Sequence, residues 1–350
     1  MKKYLRIVSF LLMAAMVLSL SAFAAEEDPQ VNIVMSTSKN QTETAGIMLD
    51  YFCDYVEEKS GGSITFSRNY GGVIASTGEE FDYVSGGAID LTCLQASSFG
   101  SQIPLFQFPS SPNGSSENAV AYGEYLLYEN EETSALIAQE AEENNIKYLG
   151  FLAGGASVIV STFEVDELSD FFSVKFGTGV DIPAYEAIGF NCVTMMPPDG
   201  YESLERGVVD CTVMSFVPTV QMKWYEVAPY YYYVGTYAIG NPITLNLDVW
   251  NSLSENQQAI LTEAGLATTA YSLEYINGVE ADCVKEIEDA GGSVNNLSDE
   301  DLAYYFGIKY SAMVQDAYNR AKEMGCEDDM AVILQAAADF LDVDVSDVLG

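Results

Sequence analysis

The segment from Leu253 to Gly292, LSENQQAILTEAGLATTAYSLEYINGVEADCVKEIEDAGG, constrains the fold more than any other part of the chain. Ser254 followed by Gln257 has the form of a capping box, in which each side chain accepts the other residue's backbone N–H at a helix start. Gly291-Gly292 supplies the stop, because glycine readily takes the left-handed conformation that closes a helix. Between these signals apolar residues fall at 260, 264, 267, 271 and 275, one stripe at helical spacing. About 37 helical residues would span roughly 55 Å, more than the width of one domain of this size. Such a helix must bridge two domains or leave the body, and bridging is expected.

The rest of the chain supplies two sets of elements for that helix to join. Val31–Ser36 reads as a strand, and residues 43–59 carry apolar positions at 45, 48, 49, 52, 55 and 56, a helical stripe stopped by Gly61-Gly62. SITFSRNY then reads as a strand, TGEEFDYVSGG as a short helix and AIDLTCL as a third strand. In the middle, residues 146–152 and 157–163 are two strand candidates, SVKF another, and 184–189 a short helix. NCVTMM, the helical YESLERG and VVDCTVMS make a second β-α-β set. This alternation predicts an α/β fold with parallel strands and helices on both faces. The tyrosine run 230–233 fits a half-buried strand with two tyrosines on each face about as well as it fits a sugar or aromatic platform.

At the amino terminus, MKKYLR is a basic run, IVSFLLMAAMVLSL an apolar one and Ala22-Phe23-Ala24 a small-residue cleavage site, the pattern of a signal peptide over residues 1–24. The apolar run is short for a membrane span. The chain is therefore expected to be exported. Three basic residues leave with that segment, so 11 bases face 52 acids in the remainder. That balance argues against nucleic acid or an anionic membrane as partner, since both need a basic face. A small anionic ligand stays possible, because surface fields fade over roughly 8 Å at physiological salt and pocket chemistry decides. Histidine is absent, which removes the commonest general base and a usual zinc ligand. The six cysteines form no C-x-x-C pair and are read mainly as buried thiols. No cofactor and no metal is expected.

One cation stands out. Lys175 in SVKFGTG precedes Gly177 and Gly179. It could grip a phosphate, anchor a ligand carboxylate or sit on a solvated surface; the phosphate reading is weak because the glycines follow the lysine instead of preceding it.

Several stretches together resemble the periplasmic solute-binding proteins of tripartite ATP-independent periplasmic (TRAP) transporters. YESLERGVVD (201–210), KWYEV (223–227) and VWNSLSENQQAIL (249–261) carry the likeness, with VEEKSGGSITF and YVSGGAIDL upstream, across residues 31–325. The resemblance implies two α/β lobes joined by a hinge: 31–152 with about 239–275, and 153–238 with about 276–325, followed by an extension at 326–350. It implies a monomer that captures a small organic acid or other oxygen-rich solute and delivers it to a TRAP-type permease. It also makes Lys175 the counterpart of an arginine the family uses for a ligand carboxylate, with a point charge in place of a planar fork. A second family arginine corresponds to Ser157, and a ligand-contacting asparagine to Met214. Gly155, Ser36, Gln95, Ser97, Tyr185, Ser215, Phe216 and Tyr237 complete the expected ligand site, with Trp224 as a further aromatic candidate. An enzyme reading finds no support, since no carboxylate pair is singled out. The binding protein of an ATP-driven importer and an exported interaction protein are the alternatives.

Overall fold

The computed structural model describes residues 28–109, 115–179 and 181–349. The signal peptide expected at 1–24 lies outside the described residues. The chain opens with β1 (Val31–Ser36), α1 (Thr44–Lys59), β2 (Ile64–Asn69), α2 (Glu80–Ser85) and β3 (Leu91–Cys93). β1 pairs in parallel with both β2 and β3. The stripe of α1 buries Met48, Leu49, Phe52 and Val56 against Ile33, Met35, Ile64 and Leu91, as its spacing predicts.

After α3 (Ser116–Glu124) and α4 (Glu131–Glu143) comes β4 (Ile146–Ser161), a single strand where the sequence suggested two. The Gly154-Gly155 interruption is not a loop: it sits among register shifts spread between Tyr148 and Val158, so the strand bends without ending. A second half-sheet follows with β5 (Lys175–Thr178), α5 (Ile182–Ile188), β6 (Asn191–Thr194), α6 (Gly200–Glu205), β7 (Cys211–Ser215) and α7 (Phe216–Gln221). β5 is parallel to β6 and to β7. β8 (Tyr230–Asn246) then runs back antiparallel to β4, from the Tyr230–Ser161 pair to the Asn246–Ile146 pair. The two half-sheets thereby fuse into one sheet, eight strands of which are ordered β2-β1-β3-β8-β4-β7-β5-β6. The expected parallel strands are present within each lobe, but the two crossing strands are antiparallel and make the whole sheet mixed. Tyr231 and Tyr232 of β8 enter cores on opposite faces, one beside Phe216 and Trp224, the other beside Phe171 and Tyr305.

α8 (Leu247–Ser252) leads into α9 (Glu255–Asp289), the long helix, which begins with both bonds of the Ser254–Gln257 capping box. Ile260, Leu261 and Ala264 belong to the first-lobe core, whereas Cys283 and Ile287 belong to the second. It bridges, as its length requires. β9 (Ser293–Asn296) adds to β8 in parallel. α10 (Asp299–Met324) is a second bridge that the sequence reading passed over: Tyr305 packs in the second lobe, while Tyr310, Val314, Ala317 and Ala321 pack in the first. α11 (Glu327–Leu341) lies in the segment expected as an extension, yet Ile333 and Leu334 are fully buried in the first-lobe core. Burial of that kind contributes about 1.5–3 kcal/mol per side chain, so this segment is part of the body. All six cysteines are unpaired thiols, four of them buried.

Candidate ligand-binding cleft

A cavity of about 940 Å³ opens where β4 and β8 cross between the lobes. Such a volume suits one small solute. Its floor is Leu152–Gly155 of β4 with Gly240 and Asn241 of β8. The first lobe contributes Lys39, residues 42–45, Ala96, Ser97 and Phe106–Pro109, and the second contributes Asp181, Pro183, Ala184, Val217 and Gln221. α9 presents Tyr275, Ile276 and Val279, and α10 presents Ala312, Met313, Asp316 and Arg320. Lys39 follows the carboxyl end of β1 and Asp181 that of β5, the ends at which open α/β sheets bind ligands.

The floor keeps its bend through side chains of α9. The bulges of β4 free backbone amides that need partners. Phe151 N–H donates to Thr269 Oγ1 at 3.1 Å, Ala153 N–H to Ser272 Oγ at 2.7 Å and Ala156 N–H to Glu280 Oε1 at 2.6 Å. Burial raises the pKa of the Glu280 carboxyl, and the Ala156 bond acts in the opposite direction. A side chain at 155 would place its Cβ 2.8 Å from Glu280 Oε1, so the carboxylate would have to shift from its present position to admit one.

All eleven of the described lysines and arginines can be located, and two line the cleft, Lys39 and Arg320. Lys39 Nζ donates to the Gln95 side-chain oxygen at 3.3 Å. Arg320 meets Asp316, one helical turn earlier, at 2.7 Å, with the two side chains 46% and 61% exposed. An ion pair this exposed is weak and exchangeable, worth about 0.3–0.5 kcal/mol. Of the other acids here, Glu43 accepts from the Asn40 backbone and side chain at 2.6 and 2.8 Å. Asp181 meets Lys309 of α10 at 2.5 Å. The Lys309 ammonium lies 4.2 Å from the centre of the Tyr185 ring.

The expected site residues divide. Ser97 and Gly155 line the cleft, and Gln95 reaches it through Lys39. Lys175 is not brought there. It is the first residue of β5, so roughly 10 Å of strand separates it from the end that faces the cleft. Its ammonium donates to the Gly207 carbonyl, and its backbone N–H to Asp210 at 2.9 Å. Ser157 pairs with Ser215, and Met214 with Val158, on the β4–β7 ladder beyond the floor. Phe216 is fully buried against Tyr231 and Tyr233, and Trp224 is buried in the same core. Tyr185 is buried behind Asp181, where its ring supports Lys309. Tyr237 pairs with Ala156, and burial with the nearby Glu280 charge pushes its phenol up to about 12. Ser36 is buried at the end of β1, three residues before Lys39, its hydroxyl without a partner among the described residues. The residues that sequence reading missed are Lys39, Asp181, Lys309, Asp316 and Arg320. A signal for α10 existed in Ser298 with Asp301 at its cap and apolar residues at 310, 314, 317 and 321. Nothing local indicated that this helix walls a cleft.

Two half-sheets joined by continuous strands and bridging helices, with a cavity at the junction, define a two-lobed solute-binding protein. The chain belongs to the bacterial extracellular solute-binding protein family 7 (DctP), whose model matches residues 35–319. A solute-binding protein of Sulfitobacter sp. (strain NAS-14.1) is 27% identical over 289 residues, 79% of this chain and 83% of that protein. A TRAP periplasmic solute-binding protein of Rhodobacter sphaeroides in an apo open form superposes with a TM-score of 0.77 at 15% identity, covering 88% of this chain and 99% of that one. One from Sulfitobacter sp. NAS-14.1 with bound β-D-galacturonate gives 0.62 at 21% identity, covering 89% and 100%. No helix among the described residues is long and apolar enough to cross a membrane.

Proposed function

We propose that the chain is the extracytoplasmic receptor of a TRAP-type transporter. It captures one small organic anion in the cleft and hands it to the membrane permease without transforming it. The observation that carries the ligand class is the cleft's pair of cations: in a chain where acids outnumber bases almost fourfold, Lys39 and Arg320 face the cavity with a neutral and a weakly held partner. An incoming carboxylate can take both without displacing a buried ion pair. The family match and the galacturonate held by a structural relative support the same reading. Thermal-shift screening of carboxylates, neutral sugars and amines against the purified protein tests it, and carboxylates alone are expected to raise Tm. Lys39→Met should weaken the best carboxylate about ten- to a hundredfold. Stabilisation by neutral or cationic solutes only would sink the anion reading. Uptake in reconstituted vesicles should need an ion gradient and persist without ATP; loss on ATP withdrawal alone would assign the receptor to an ATP-driven importer.

A further inference from the structure

We infer that Asp181 is a specificity residue that accepts hydrogen bonds from hydroxyl groups of the solute, with Lys309 as its positioning residue, so that the cleft selects hydroxylated acids over plain ones. This rests on the organic-anion reading above and deepens it. Asp181 follows β5 in the left-handed conformation, φ 54°, and its side chain makes no cap bond to α5. The carboxylate turns instead to Lys309, whose side chain is 6% exposed, while that of Asp181 is 53% exposed and lines the cleft.

Lys309 is the one lysine or arginine among the buried charged residues of the described chain. A buried ammonium is tolerated only with a hydrogen-bonded counter-charge, and here Asp181 Oδ2 supplies it at 2.5 Å. The Tyr185 ring at 4.2 Å fixes the ammonium from another side. The pair therefore has little freedom, and the carboxylate is preorganised. A carboxylate offers about four acceptor positions, of which Lys309 uses one. The side chain is half exposed and lines the cavity, so the others are open to a solute. They repel a ligand carboxylate, which goes to Lys39 and Arg320. They accept hydroxyls readily. An ammonium on the solute would have to share oxygens with the Lys309 ammonium, so hydroxyl is the better match. Glu43 is less available for this task, since Asn40 already donates to it twice, and Asp316 lies against the guanidinium that the ligand carboxylate takes, where it meets the acid group and not the hydroxyls.

The test is calorimetry with D-galacturonate and with cyclohexanecarboxylate, which has a six-membered ring and a carboxylate but no hydroxyls. Wild type should bind galacturonate about ten- to a hundredfold more tightly. The double variant Asp181→Ala/Lys309→Met, which removes the pair together and leaves no unpaired buried charge, should remove that margin while still binding cyclohexanecarboxylate at least as tightly as wild type. Lys309→Met should narrow the margin although Asp181 is intact, whereas a purely structural loss would weaken both acids equally. Asp181→Asn, which keeps the shape and one acceptor oxygen, should retain part of the preference and controls for folding. Equal affinity of wild type for the two acids overturns the inference and leaves organic-anion capture standing. Binding of neither acid also overturns it, and release of a neutral or cationic solute from the purified protein on denaturation would overturn the anion reading as well.

Discussion

Glu140 is buried with two backbone donors, Leu105 N–H at 2.7 Å and Phe106 N–H at 3.2 Å, on its two oxygens. It holds the chain just where Phe106–Pro109 form one wall of the cleft. Burial pushes its carboxyl up to about 7 in spite of those donors. The folded-state value thus lies above the unfolded one of about 4.3, and between the two the folded protein holds the extra proton. The contribution to stability is therefore largest at low pH and declines as pH rises towards about 7. Glu140→Gln cannot titrate and leaves one amide poorly paired, a constant loss of about 1–3 kcal/mol. The stability difference between wild type and this variant should shrink from pH 4.5 to pH 7.5 in urea titrations; a difference independent of pH would show that Glu140 does not titrate in that range.

At the scale of elements, α9 and β4 touch backbone to backbone. A Cβ on Gly265 would stand 1.9 Å from the Leu149 carbonyl oxygen, and one on Gly150 would stand 2.6 Å from that of Gly265. Helix propensity alone favours alanine over glycine by about 1 kcal/mol, so glycine at 265 is retained against local preference. Gly278 lies in the same helix with nothing within 4 Å of an added Cβ. Gly278→Ala should raise stability by up to about 1 kcal/mol, whereas Gly265→Ala should lower it by several times that, since backbone atoms cannot rotate away. Chemical denaturation of the two variants compares them directly, and a Gly265→Ala protein as stable as wild type would mean that helix and strand are not in this contact. The helix ends were legible in the capping box and glycine pair. The continuity of β4 was not, because Gly154-Gly155 reads locally as a break and only pairing with β8 and the side chains of Thr269, Ser272 and Glu280 carry the strand through it.

For the molecule as a whole, the crossing is where any change in the arrangement of the lobes is expected. β4 and β8 pass through it with shifted register, and the cleft lies directly against that irregular stretch. A solute that touches both lobes should favour a closed arrangement, since it binds that state better. Small-angle scattering should show a smaller radius of gyration at saturating solute, and unchanged dimensions with a bound solute would sink the hinge model. Binding itself implies linkage, whether or not the lobes close: about 2.7 kcal/mol of added stability is expected at a hundredfold excess over Kd.

The sequence by itself determined the elements of each half-sheet, the long bridge and the family, though not the continuity of β4 or the helices after β9, because capping, periodicity and ordered short motifs depend on residues a few positions apart. It placed Ser97 and Gly155 at the cleft through that resemblance. Which cations line the cleft was decided only by the tertiary structure. Lys175 has the right neighbours but stands at the wrong end of its strand, while Lys309 reaches Asp181 across 128 positions because α10 crosses between the lobes. A side chain's charge is a local property. Its burial, its partner and the cavity it faces depend on packing between distant segments, which no local pattern encodes.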